Sequence, residues 1–153
     1  MPIAGDPLGT FGHWVTPRLA TGGALVDPAS VQALRLAGVT GLVNTQAERD
    51  DSGLVPDLAY LWNGVADDAQ PKDASWFARS LEFALPLLAR PGQRLYVYCG
   101  AGSNRGPSTA YAILRAVGFP PALALSTIQN TRMGAVVAYA ADADHAIELL
   151  GYG

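Results

Sequence analysis

The chain has 153 residues but only one cysteine, Cys99, one lysine, Lys72, and two histidines. A lone thiol excludes an internal disulfide framework and any zinc site built on several thiolates, and a reducing compartment, the cytoplasm, is the expected setting. Two histidines, His13 and His145, both distant in sequence from the cysteine, give no metal-ligand spacing, so neither a metal nor a cofactor is expected. Charge is scarce as well: 15% of residues carry it, ten basic against thirteen acidic, and the net charge is −3. No basic run could neutralise a row of phosphates, which argues against nucleic acid or an anionic membrane as partner. No apolar run approaches the roughly 20 residues of a membrane-spanning helix, and the first ten residues lack the basic start and apolar stretch of a signal peptide. Repeats and low-complexity segments are missing too. With so little lysine, any phosphate chemistry has to rest on arginine, backbone amides or a helix end.

What is present is a core. Half of the residues are hydrophobic, too many for a disordered chain, and the length suits one domain. Residues 1–12 read as a loose lead-in and 13–153 as a single domain. Trp14-Val15 and Ala24 to Val26 read as short strands about a turn at Gly22-Gly23. Asp27-Pro28 reads as an N-cap with proline in the first turn of a helix that ends at Gly38. Val39 to Asn44, Leu58 to Trp62 and Leu95 to Tyr98 have the length and β-branched or aromatic content of buried strands. Between the last two, Asn63 to Lys72 reads as a surface loop. A helix capped by Asp73 follows, with Phe77, Leu81, Ala84 and Leu88 on one face and Pro86 in its last turn. Further helices are expected from about Pro107 to Val117, from Pro121, and over Val136 to Leu150. Alternating strands and helices imply an α/β fold, with a central, mostly parallel sheet of four to five strands covered by helices on both faces.

The informative segment is Tyr96-Val97-Tyr98-Cys99-Gly100-Ala101-Gly102-Ser103-Asn104-Arg105-Gly106-Pro107-Ser108. It reads as strand, tight loop and helix start. Such a junction turns several backbone N–H groups inward, and the first helical turn adds its own unpaired N–H groups and partial positive charge. Gly100, Ala101, Gly102, Ser103 and Asn104 thus form a candidate anion cradle. Arg105 at its far end can grip two oxyanion oxygens at once. The same positive field favours a thiolate on Cys99, and a thiolate beside a held phosphate is a nucleophile. The plainer alternative, an inert cysteine ending a core strand, would not require the glycines and the arginine to coincide.

These residues resemble the signature of the cysteine-dependent protein tyrosine phosphatases, and within them the small dual-specificity phosphatases: His-Cys, five residues with glycine third, Arg, then a hydroxyl residue. Cys99, Gly102 and Arg105 match. Tyr98 stands in place of the histidine and Gly106 in place of the hydroxyl residue. Ser108, two positions on, is a candidate replacement stabiliser of the departing thiolate, with a simple helix-start residue as the alternative. The resemblance runs from about Trp14 to Arg132 and implies a phosphatase-like three-layer domain.

It also implies a proton donor on a loop about thirty residues before the cysteine, because a leaving alkoxide or phenoxide needs a positioned acid. Matching Asp73 to Phe77 to the start of the family's following helix puts Asp67 in that place, with Asp68 the alternative. Arg132 follows a helix much as a family arginine does, but it reads as a structural or helix-end charge. Trp14, Trp62 and Trp76 read as core aromatics.

The resemblance implies hydrolysis of a phosphomonoester through a phosphocysteine intermediate. The expected substrate is phosphotyrosine, with phosphoserine and phosphothreonine admitted by a shallow pocket. An inositide or small-metabolite phosphatase, and a rhodanese-like or arsenate-reductase-like enzyme, remain alternatives. The expected partner is a phosphorylated protein or small phosphoester.

Overall fold

A computed structural model describes residues 6–9 and 11–152. Its strands are β1 (Gly12–Thr16), β2 (Leu19–Gly22), β3 (Gly41–Gln46), β4 (Ala59–Val65) and β5 (Leu95–Tyr98). Its helices are α1 (Pro28–Leu36), α2 (Ala74–Leu88), α3 (Arg105–Ala116), α4 (Pro121–Thr131) and α5 (Ala140–Leu150). The strands form one sheet in the order β1-β2-β5-β3-β4. Only β1 against β2 is antiparallel, and the other pairings are parallel. The expected mostly parallel α/β sheet is the observed one.

Alternation along β5 divides the core. Leu95 and Val97 face a cluster with Phe77, Leu81, Ile113 and Ile147 from α2, α3 and α5, whereas Tyr96 and Tyr98 face Leu25, Val31 and Leu34 on the α1 side. Each fully buried leucine of this kind contributes about 1.5–3 kcal/mol. Helix α1 begins where its cap predicts: Asp27 Oδ1 accepts the Ser30 N–H at 2.8 Å, with Pro28 in the first turn.

Several boundaries differ from the sequence reading. The second strand is Leu19–Gly22 rather than Ala24 to Val26, so the hairpin turns at Pro17-Arg18. Ala24 is instead spent on the loop after β5, where its N–H donates to the Gly100 carbonyl. Strands β3 and β4 run further toward their C-terminal ends than expected. Helix α3 starts at Arg105, two residues early, because the loop enters the helix directly, with Ser108 N–H donating to Asn104 O at 2.7 Å. Helix α5 starts at Ala140, not Val136: Gly134 and Val137 have positive φ, and the N–H groups of Val136, Ala138 and Tyr139 bond outside the helix. Of the expected lead-in, residues 1–5 and 10 lie outside the described residues, while Leu8 is buried in the α1-side cluster and Gly12 opens β1.

Because β2, β5, β3 and β4 are parallel, their C-terminal ends share one edge of the sheet. Four segments therefore converge there: Gly23-Ala24, the loop after Cys99, the segment 47–51 and the segment 66–72. In parallel α/β sheets this is the edge at which ligands bind.

Candidate active site

The loop after Cys99 is ordered through its carbonyls. Gly100 O accepts from Ala24 N–H at 3.0 Å, Ala101 O from Arg132 Nη2 at 3.3 Å, Gly102 O from Arg132 Nε at 2.6 Å, and Ser103 O from Val136 N–H at 2.7 Å. Asn104 O accepts from Ser108 N–H at 2.7 Å. Among the described residues, the N–H groups of Gly100 to Arg105 donate to no protein acceptor. Five successive carbonyls are thus paired outward while the amides are left for something else, which is the electrostatic arrangement of an anion cradle.

Two glycines make this packing possible. Gly102 has φ +74°, and a Cβ there would stand 2.4 Å from Arg132 Nη2 and 2.5 Å from the Gly22 carbonyl carbon. At Gly106 a Cβ would lie 3.0 Å from Tyr98 Cα and 3.2 Å from Cys99 N. The hydroxyl residue that the family has at this position would therefore force apart the end of β5 and the first turn of α3.

Cys99 is buried, 3% exposed. Arg105 is also buried, and its Nη1 and Nη2 donate to Glu48 Oε1 and Oε2 at 2.8 and 3.0 Å, with Nη1 also reaching Val65 O at 3.0 Å. Its Nε–H is buried and has no hydrogen-bond partner among the described residues. Leaving such a donor unpaired is costly, so it is a group kept for an acceptor. Hydrogen bonding to Glu48 raises the Arg105 pKa against the opposing effect of burial, and the charges of Glu48, Cys99 and Asp67 add to the rise. The reciprocal bond from Arg105 holds Glu48 down at about 2.

Sequence reasoning missed Glu48. The available signal was topological: it lies two residues beyond β3, next to β5 at the binding edge. His13, read as distant from the motif, also belongs here, because Arg132 Nη1 donates to its Nδ1 at 2.8 Å. Burial, then the Arg132 charge, lower the His13 pKa. Of the two readings of Arg132, structural or helix-end charge, its bonds to the loop carbonyls fit the structural one.

The two aspartates separate clearly. Asp67 Oδ1 accepts from Asn104 Nδ2 at 2.8 Å and from the Tyr139 hydroxyl at 3.1 Å, which brings it to the cradle. Its Oδ2 has no hydrogen-bond partner among the described residues. Asp68 is turned to Lys72, with Oδ1 2.6 Å from Nζ, and that bond lowers its pKa. Asn104 is the hub of this corner, since its Oδ1 also accepts from Ala138 N–H at 2.7 Å.

Ser108, the candidate stabiliser of the departing thiolate, is engaged elsewhere in this structure. Its hydroxyl accepts from Tyr139 N–H at 3.3 Å and lies 3.4 Å from Asn104 Oδ1, and no hydrogen bond joins it to Cys99 among the described residues. It staples α3 to the start of α5. Tyr98, in the histidine's place, turns away from the loop and donates to Asp51 Oδ2 at 2.8 Å. Of the three tryptophans, Trp76 is buried, but Trp62 is 42% exposed because its strand lies at the sheet edge.

No protein-family model matches the sequence, and no curated protein matches it. Among solved structures it is similar to human DUSP28, with 24% identity and a TM-score of 0.77 over 95% of this chain and 99% of that one. It is similar also to PTPMT1 crystallised in complex with PI(5)P, with 17% identity and a TM-score of 0.78 over 92% of this chain and 97% of that one. A third likeness is to the human tyrosine phosphatase-like serine/threonine/tyrosine-interacting protein, with 17% identity and a TM-score of 0.75 over 91% and 97%. At these identities the likeness is one of fold: the chain has the fold of the small dual-specificity-type cysteine phosphatases.

Proposed function

We propose that this chain hydrolyses phosphomonoesters through a phosphocysteine intermediate. The observation that carries the reading is the loop from Gly100 to Arg105, whose carbonyls are paired while its amides, together with the buried Arg105 Nε–H, are left without an acceptor among the described residues. Preorganised donors of this kind stabilise a phosphoryl group through the transition state at no reorganisation cost.

The Cys99 thiolate attacks phosphorus, forming the S–P bond as the P–O bond to the leaving group breaks. Asp67, protonated on the oxygen that Asn104 and Tyr139 leave free, gives its proton to the leaving oxygen. Water then attacks phosphorus, Asp67 takes its proton, and the S–P bond breaks to return thiolate and inorganic phosphate. The need for a reduced thiol suits the cytoplasm.

Phosphotyrosine is the substrate favoured, with phosphoserine and phosphothreonine admitted. Cations near the loop are already engaged: Arg132 on loop carbonyls, Arg49 on Asp51 and the Leu25 carbonyl, Lys72 on Asp68. That arrangement supports an ester with one phosphate over a polyphosphorylated inositide. Cys99→Ser is expected to abolish turnover of p-nitrophenyl phosphate while inorganic phosphate still binds. Retention of more than a few per cent of activity would sink the reading, and turnover of thiosulfate or arsenate in place of the aryl phosphate would move the chain to another class of anion-loop enzyme.

A further inference from the structure

Asp51 is a carboxylate only 1% exposed that takes no part itself in the chemistry above. A buried carboxylate is costly unless its partners are well placed. Here Oδ2 accepts from the Tyr98 hydroxyl at 2.8 Å and Oδ1 from Arg49 Nε at 2.6 Å, with Gln46 Nε2 more distant at 3.5 Å. The surrounding backbone is tied with equal care. Asp51 N–H donates to the Tyr60 hydroxyl at 2.8 Å, and Arg49 O accepts from Asn44 Nδ2 at 2.7 Å. Arg49 Nη2 reaches across to Leu25 O at 2.9 Å.

The segment so fixed bears Glu48, whose two oxygens grip Arg105. The Glu48 side chain is itself 58% exposed. With the Glu48 end of the pair open to solvent, ordering its long side chain offsets much of the gain, so the Glu48–Arg105 fork depends on a backbone that is already in place. Tyr98 sits at the root of this arrangement. It precedes Cys99, its ring stacks on Tyr96 with centroids 5.3 Å apart, and its carbonyl accepts from Thr45 Oγ1 at 2.7 Å.

We propose that Tyr98 is a positioning residue, acting through Asp51 on the 48–51 segment and through Glu48 on the orientation of the Arg105 guanidinium. The strand that ends in the nucleophile and the carboxylate that aims the phosphate-gripping arginine are thereby set by one buried hydroxyl. This deepens the phosphatase reading and rests on the loop being an anion site.

The test is a double-mutant cycle on the full chain, read by calorimetric titration with inorganic phosphate, which needs no turnover. Tyr98→Phe keeps the ring and removes the hydroxyl, and is expected to weaken phosphate binding about three- to tenfold. Glu48→Gln should weaken it to a similar degree. If Tyr98 acts through Glu48, adding Tyr98→Phe to Glu48→Gln costs less than about a further twofold, because the path is already cut. Losses that multiply, or a Tyr98→Phe protein that binds phosphate like the wild type, would overturn the proposal. Should Tyr98→Phe fail to fold, Asp51→Ala runs the same cycle, since it removes the acceptor through which the Tyr98 hydroxyl acts. A wild type that binds phosphate yet hydrolyses no aryl phosphate would count against the hydrolase reading, and the cycle would still support or refute the positioning role.

Discussion

The loop proposed to receive the anion and the segment proposed to present the acid are built on different principles. From Gly100 to Asn104 every carbonyl is fixed by a hydrogen bond, so the cradle is a backbone structure with little freedom. Asp67, by contrast, is brought to it by two side-chain donors, Asn104 and Tyr139, from a stretch whose neighbours Asp68 and Gln70 are exposed. In the proposed mechanism, binding falls to hydrogen-bonded main chain and proton transfer to a side chain, the same carboxyl first giving a proton and then taking one. Preorganisation matters most where charge is held through the whole reaction, and less where a group changes state.

The sharpest way to break this division is at the acid. Asp67→Asn is expected to lower kcat on an aryl phosphate by about a hundredfold or more and to remove one limb of the pH profile, while phosphate affinity changes little. Asp68→Asn should leave both as they are. The reverse result would transfer the proton to Asp68 and cancel the contrast. A smaller but opposite effect is expected at the cradle. Gly102→Ala puts a methyl group into the space of Arg132 and Gly22 at φ +74°, and should destabilise the fold by about 2 kcal/mol or more. Its loss of phosphate affinity would show in a titration of whatever protein remains folded. Binding unchanged in Gly102→Ala would mean that the loop tolerates movement and that its rigidity is not what serves the anion.

The smallest expected effect concerns Glu48. Its pKa is held near 2 in the folded chain against an ordinary 4.5, so the unfolded state binds more protons between these values and stability rises with pH across them. The contribution is complete above about pH 4.5 and is lost as the pH falls toward 2. For a half-exposed pair it amounts to less than about 1 kcal/mol. Melting temperatures of wild type and Glu48→Gln should therefore differ slightly at pH 6 and converge near pH 2. A gap that widens on acidification would contradict the assigned pairing.

How much was legible depended on distance along the chain. Cys99, Gly102 and Arg105 lie within seven residues, and the strand-loop-helix reading placed them on one loop from spacing alone. Asp67 was reached through resemblance to a family, and its separation from Asp68 appeared only when Asn104 and Lys72 were seen to claim one aspartate each. The hairpin was misread because Gly22-Gly23 looks like a turn, while those residues are small in order to lie against the loop after Cys99 and the ring of Tyr96. Helix α5 was started too early because Val136 to Tyr139 has helical composition, yet its N–H groups bond to Ser103, Asn104 and Ser108. In both cases a tertiary hydrogen bond outweighed a local preference.

The amino-acid order alone determined the chemistry available: one thiol, one arginine at the right reach, glycines where the backbone must turn, and apolar periods that dictate a covered parallel sheet. Tertiary structure decided which distant groups complete it. Glu48 is 57 positions from Arg105, and Arg132 is 30 from Gly102 and 119 from His13. No local pattern encodes such pairs, because they arise when parallel strands bring their ends to one edge and each buried donor or acceptor there must find a partner.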